Sequence, residues 1–365
     1  MKIVVSEWAM ITPFGHGPEV FLDGLAAGRS AAGPIHSFDA RGIGPAIAAQ
    51  VPPLPDSPRD RKIGLVRRAG ASLSRVRSNA WIHLGVGLEA AHLEDFYRVD
   101  RPDALRTPLD AAPWSLAEIL HTTGPVTIDT SACAAGGLSL LTGLQLLREG
   151  LADQVVVGGV DAMVNPLGYG GMERLGALSP SGRARPFDRR RDGLLMGEGV
   201  ALFVLERESP QTPVLGRLLG GASTQDGYRV TAPRPDGSRA QVAIERALQD
   251  AGNPTIDWVN AHGTGTPLND PAEVRALHNA GLRVPIRSIK GAIGHAMAAS
   301  GALEAAATWL CLSNGLLPGT FGFSESEPAT AGEHSALPRP SDARTALSTS
   351  FGFGGQNVAL VLGAP

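Results

Sequence analysis

Short apolar runs that end in loops of glycine, alanine and serine, each followed by a helical pattern, constrain this chain more than any other feature. Residues 126–130 are rich in β-formers and deliver the chain into Ser131-Ala132-Cys133, after which residues 134–148 continue as a helix of small and apolar side chains. Residues 285–290 begin a second unit of this kind, with a loop carrying His295 and a helix over 298–312. Aligned, TIDTSACAAGGLSLLTGLQLL and IRSIKGAIGHAMAASGALEAA are both strand, loop and a helix that opens with small residues, which points to an internal duplication. Further strands are expected over 1–14, 81–87, 154–160 and 257–260, with 345–349 and 358–362 as a closing pair around a glycine loop. Helices are expected over 17–28, 59–78 and 114–121, and the stretches 34–58 and 313–343 read as loops. This alternation predicts an α/β layered fold with a mainly parallel sheet.

The chain has 365 residues, 43% of them hydrophobic and 18% charged, the balance of a globular protein. Its 46 glycines, together with abundant alanine, suit closely packed helices and strands. A formal net charge of −3 gives no drive toward nucleic acid or an anionic membrane. No apolar run reaches the ~18–20 residues of a membrane span, and MKIVVSEWAM is too short in its apolar part for a secretory leader. The two cysteines, Cys133 and Cys311, lie in unlike contexts, so a reduced, cytoplasmic protein is expected.

Cys133 marks a strand-to-helix junction. A thiol there meets unpaired backbone N–H groups and the positive helix end, which favour the thiolate. Ala134, Ala135, Gly136 and Gly137 leave room around its sulfur. Cys311, inside the apolar run TWLCL, reads as a buried, inert thiol. His262 and His295 each follow a strand and sit in small-residue loops, the place where α/β sheets put their ligand crevice. Their spacing has neither the HxH nor the HExxH form, so no metal site is assigned. The loop Phe351-Gly352-Phe353-Gly354-Gly355-Gln356-Asn357 lacks the GxGxxG and GxxxxGK[ST] patterns and precedes a strand, so it reads as a turn presenting a backbone N–H and a phenylalanine. The absence of GxSxG weighs against a serine hydrolase of the α/β type.

Seven blocks in order resemble the β-ketoacyl synthase family: DTSACAAGG, GGVDAM, LSPSGRARPFDRRRDGLLMGEG, TAPRPDG, NAHGTGTPLND, SIKGAIGHAMAASGALE and FGFGGQN. They span roughly 125–365, with weaker similarity over 1–50. The resemblance implies a thiolase-like fold, layered α-β-α-β-α and built from two duplicated halves, 1–205 and 206–365. It implies Cys133 as the nucleophile that takes an acyl group from a carrier-protein phosphopantetheine, with no metal or organic cofactor. His262 and His295 would bind the carbonyl of a malonyl-type extender, whose decarboxylation gives the enolate that attacks the acyl-cysteine. Lys290 and Glu304 match a supporting charged pair, Thr264 and Thr266 the hydroxyls along the pantetheine arm, and Phe353 a gate whose backbone N–H joins that of Cys133 as an oxyanion site. The implied partners are an acyl carrier protein and a second subunit, identical or related.

The chain also departs from the family pattern. Cys133 arrives early, and the shortfall lies between 55 and 125, where relatives build the dimer interface and the floor of the acyl pocket. Leu194 stands where an aromatic is common, and Gln356 where threonine is usual. Three other readings are a non-condensing acyltransferase forming esters or amides, a non-catalytic partner subunit of a ketosynthase pair, and a cysteine hydrolase using Cys133, His262 and Asn357. The arginines of 59–78 and of 183–191 read as solvated faces or as docking surfaces for an acidic partner.

Overall fold

Val, Ile and Leu fill several strand segments almost without polar interruption, which requires strands covered on both faces. The computed structural model describes residues 2–54, 61–87 and 110–365, and among them the main sheet has eleven strands. Ten carry the architecture: β1 (Ile3–Thr12), β2 (Trp81–Val86), β3 (Val126–Asp129), β4 (Gln154–Asp161), β5 (Gly199–Arg207), β6 (Gly216–Gln225), β7 (Trp258–Asn260), β8 (Ile286–Arg287), β9 (Thr345–Gly352) and β10 (Gln356–Gly363). The eleventh, Gly15–His16, folds back on the end of β1. Every residue of β4 is buried, as its QVVVGGVD sequence demands.

In space the strands run β8-β7-β9-β10-β6-β1-β5-β4-β2-β3. The first five strands in sequence and the second five therefore have the same order about the junction of β1 with β6. Their directions match as well. β2 is parallel to β3 and β4, while β5 is antiparallel to β4 and β1. Likewise β7 is parallel to β8 and β9, while β10 is antiparallel to β9 and β6. The internal duplication seen in one strand-loop-helix unit thus extends over the whole topology. The expectation of a mainly parallel sheet is corrected. Five antiparallel pairings occupy the centre and parallel ones the flanks: four arise because β5 and β6, neither of which was anticipated, enter antiparallel beside β1, and the fifth is the β9–β10 hairpin.

Helices α1 (Pro18–Ala26), α2 (Arg61–Gly70), α3 (Ala111–Leu120), α4 (Ala135–Arg148), α5 (Pro166–Arg174), α6 (Ser238–Asp250), α7 (Asn269–Asn279) and α8 (Ser300–Ser313) complete the layers. Leu65, Val66, Ala69 and Leu116 of α2 and α3 pack on one face of β2, β4 and β5. Ala243, Ile244, Ala247 and Leu277 of α6 and α7 cover the outer face of β7, β9 and β10. Between the two strand groups lie α4 and α8, each touching both. The result is the α-β-α-β-α layering that the resemblance implied. Their contact is close enough to need glycine: a Cβ on Gly136 would lie 2.8 Å from the Ala298 carbonyl oxygen, and one on Gly301 2.5 Å from the Gly137 nitrogen. All of α8 except Ser313 is buried, so its apolar sequence has no polar face.

Several expected elements shift. α2 ends at Gly70, leaving Arg75 and Arg77 in the loop that follows. Only Ile286–Arg287 of the strand expected over 285–290 joins the sheet, since the chain turns helical at Lys290–Ile293. Helices α5, α6 and α7 were not anticipated. Within the shortened region 55–125, residues 55–60 and 88–109 lie outside the described residues. Among the described residues, no helix is long and apolar enough to cross a membrane.

Candidate active site

Each catalytic candidate stands on the connection between a strand and the long helix that follows it, so the layers decide where the groups meet. After β3 the chain makes a 3₁₀ turn, Ala132–Ala134, before α4. Ala132 sits at φ 49°, a left-handed conformation that a residue with a Cβ adopts only when its surroundings enforce it. The turn holds Cys133 at 7% exposure, facing a cavity of about 490 Å³.

His262 lies two residues beyond β7 on a loop tied down by Glu273 of α7. One Glu273 oxygen accepts the His262 backbone N–H at 2.8 Å and the hydroxyl of Thr349 at 2.6 Å, and the other accepts the Gly263 N–H at 2.8 Å. Asp270 accepts from Gly265 and Phe187 on the other side of the loop. Neither acid was singled out in the sequence. The available signal was an Asn-Asp-Pro helix start separated from the His-Gly-Thr-Gly-Thr run only by Pro267 and Leu268.

His295 is held by its backbone, whose N–H donates to Leu195 and whose carbonyl accepts from Gly197. Its Nδ1 lies 2.7 Å from the Ser300 hydroxyl at the start of α8. The two imidazole rings meet edge to face, with centroids 5.2 Å apart. Burial pushes both well below the usual histidine range, and the positive charge of Lys290 pushes the same way, so both rings are neutral at pH 7. Lys290 Nζ lies 3.3 Å from His262 Nδ1. An ammonium has only donors to offer, so Nδ1 is the acceptor and Nε2 of His262 carries the proton. Lys290 also pairs with Glu304, and both are 1% exposed. Burial raises the Glu304 carboxyl and Lys290 opposes that rise.

The thiol departs from expectation. A strand-to-helix junction was expected to lower its pKa, but burial pushes Cys133 up to about 12, against the opposing pull of Lys290 and a backbone hydrogen bond from Phe353. Desolvation of the thiolate outweighs the local donors. Cys311, buried in α8, is also raised to about 12, and by burial alone. It does not line the cavity.

Cys133, His262, His295, Thr264, Thr266 and Phe353 all line that one cavity, while Lys290 and Glu304 lie directly behind His262. The Thr264 and Thr266 hydroxyls are 2.9 Å apart. Met172, Leu175, Leu194 and Met297 make its apolar wall. Phe353 occupies the three-residue turn joining β9 to β10, so the glycine loop is a hairpin. Asn357, the third member of the hydrolase alternative, faces the cavity, but its amide nitrogen donates to Asp226 at 2.8 Å. Of the arginines in 183–191, Arg189 pairs with Glu325, Arg190 with Asp188 and Arg191 with Glu327. These three serve the fold, which favours the structural reading of that run.

Comparison with known proteins agrees with this arrangement. Residues 65–211 match the family model described as Beta-ketoacyl synthase, N-terminal domain, and residues 215–324 match Beta-ketoacyl synthase, C-terminal domain. The 3-oxoacyl-[acyl-carrier-protein] synthase 2 of Synechocystis is 32% identical over 98% of this chain and 97% of its own length. That of Mycobacterium bovis is 38% identical over 67% of this chain, a match that spans 62% of the relative's own length. A solved structure, the ishigamide ketosynthase/chain length factor, superposes with a TM-score of 0.90 at 30% identity, covering 100% of this chain and 99% of that one.

Proposed function

Because the chain belongs to the β-ketoacyl synthase family, we propose that it is a β-ketoacyl-carrier-protein synthase, joining a cysteine-bound acyl group to a malonyl-type extender by decarboxylative Claisen condensation. The observation that carries this reading is the convergence of one thiol and two neutral imidazoles on a single cavity.

In the first half-reaction the Cys133 sulfur forms a bond to the acyl carbonyl of a carrier-bound thioester. The backbone N–H groups of Cys133 and Phe353 hold the oxyanion. Collapse breaks the carrier C–S bond, and the proton lost by the thiol leaves with the pantetheine thiol. In the second half-reaction the extender's thioester carbonyl accepts from the imidazole N–H groups. The bond to its carboxylate breaks, carbon dioxide leaves, and the electron pair becomes the enolate. The enolate carbon then attacks the acyl-cysteine, and the released thiolate regains a proton. Neutral rings suit this task, because an N–H aimed at a developing oxyanion stabilises the transition state more than the ground state. Lys290 fixes the His262 tautomer that makes this possible.

The supporting parts follow the same reading. Thr264 and Thr266 line the route for the pantetheine arm. Phe353 separates the two half-reactions, and no metal or organic cofactor is required. The carrier would be an acyl carrier protein, as in the names of the Synechocystis and Mycobacterium relatives. The second subunit would be a copy of this chain or a related one, and the ketosynthase/chain length factor structure is an example of the paired kind.

Incubation with acyl- and malonyl-carrier protein should release carbon dioxide and give a β-ketoacyl thioester whose acyl chain is longer by one CH2–CO unit, readable by intact mass. Acyl transfer to a hydroxyl or amine without carbon dioxide would overturn the reading. His295→Ala should slow decarboxylation by about 10²–10³ while leaving part of Cys133 acylation. Equal loss of both steps would refute the division of labour.

A further inference from the structure

Among the residues lining the cavity, Arg229 and Val230 of the loop following β6 are exposed and form part of its rim. Among the described residues that line the cavity, Arg229 supplies the single guanidinium, and no lysine lines it. The other charged group at this end, Asp226, is satisfied within the fold: one oxygen accepts from Asn357 and the other from the Arg234 backbone N–H. Arg229 has no such use. Among the described residues it faces no carboxylate within ion-pairing distance, whereas Arg189, Arg190, Arg191 and Arg234 each have one. It is exposed, yet placed. Its guanidinium lies 5.4 Å from the Tyr228 ring centroid, a cation–π contact. The loop that carries it is bound to the Phe353 hairpin from both sides, by Gly354 N–H to Val230 and by Asp226 N–H to Gly355.

We propose that Arg229 binds the phosphodiester of the phosphopantetheine arm at the mouth of the cavity and positions the thioester at the far end. This rests on the function proposed above and adds the anion subsite to it. A substrate delivered on such an arm has its reacting carbonyl among Cys133, His262 and His295 at the buried end. Its remaining strong anion is the phosphodiester at the other end of the arm. The extender's own carboxylate must lie at the floor, where decarboxylation occurs, so it does not meet an arginine at the rim. A planar guanidinium offers two parallel N–H donors to two phosphate oxygens, geometry an ammonium cannot match. A charged side chain on the carrier protein would present a similar anion, and the experiment distinguishes the two sources.

Acylation of Cys133, read by intact mass, is followed with the same acyl group on pantetheine, on 4′-phosphopantetheine and on holo carrier protein. The wild type should prefer the phosphorylated arm. Arg229→Gln should lower that preference about tenfold, and Arg229→Lys should restore part of it. The pantetheine thioester serves as the folding control within each variant. An unchanged preference in Arg229→Gln overturns the proposal. So does a defect confined to the holo carrier, which would place Arg229 against the protein and not the phosphate. A wild type that no thioester acylates would refute the proposed function itself, and this subsite with it.

Discussion

The two halves of the molecule repeat one strand order and one set of strand directions, yet they carry different chemistry. The matching crossings, β3 to α4 and β8 to α8, show where they diverge. Each passes through a 3₁₀ turn whose first residue has positive φ, Ala132 at 49° and Met297 at 45°. The next residue is Cys133 in the first half and Ala298 in the second. Cys133 faces the cavity, whereas Ala298 is fully buried and its backbone N–H donates to Asp161 of β4. The second crossing is also longer: its added turn carries Lys290, and His295 follows that turn. Duplication supplied the scaffold twice. A longer crossing and single residue differences give the first half a cavity-facing thiol and the second two neutral imidazoles.

The largest test of that asymmetry is to remove the nucleophile. Cys133→Ala should abolish acyl-enzyme formation, a loss of 10³ or more on the scale of covalent catalysis, as read by intact mass after incubation with acyl-carrier protein. Adding Ala298→Cys to that variant should restore nothing, because the matching position in the second half does not open onto the cavity. An acylated Cys133→Ala protein would mean that the chemistry does not belong to the first half.

A smaller effect concerns how the thiol is poised. With its pKa pushed up to about 12, the uncharged form of Cys133 predominates through the neutral range. Alkylation by iodoacetamide should therefore rise about tenfold per pH unit between pH 7 and 9, without levelling, since only the thiolate reacts. A plateau near pH 7 would restore the expectation that the helix end dominates burial. Cys311 should stay unmodified throughout, being enclosed in α8 and remote from the cavity lining.

Much of this is legible in the sequence, because the informative residues sit in short segments whose types have few other uses. Cys133, His262 and His295 stood out as reactive groups in small-residue loops, and the structure brings them to one cavity. What escaped notice depended on partners distant in sequence. The run GRLLGGASTQ of β6 has no alternation to reveal a strand, since its neighbours β1 and β10 define its faces. Glu273 looks like an ordinary helix acid until Thr349 and the His262 loop close around it. The thiol's raised pKa was missed because local sequence shows the helix end and not the layers that bury it.

The contact between the halves gives the smallest and most local test, and its sign is the point of interest. A glycine in a helix is ordinarily improved by alanine, by roughly 0.5–1 kcal/mol. Gly171 of α5 fits that rule, as a Cβ there meets nothing within 4 Å, so Gly171→Ala should raise the unfolding free energy by that amount. At Gly136 and Gly301 the added methyl meets backbone of the opposing half, which has no rotamer by which to yield. Overpacking of this kind costs ~1–3 kcal/mol, enough to reverse the propensity gain. Gly136→Ala and Gly301→Ala should therefore lower the midpoint of urea unfolding while Gly171→Ala raises it. If all three raised it, the α4–α8 seam would be looser than these distances describe, and the placement of Cys133 and His295 beside it on one cavity would need another cause.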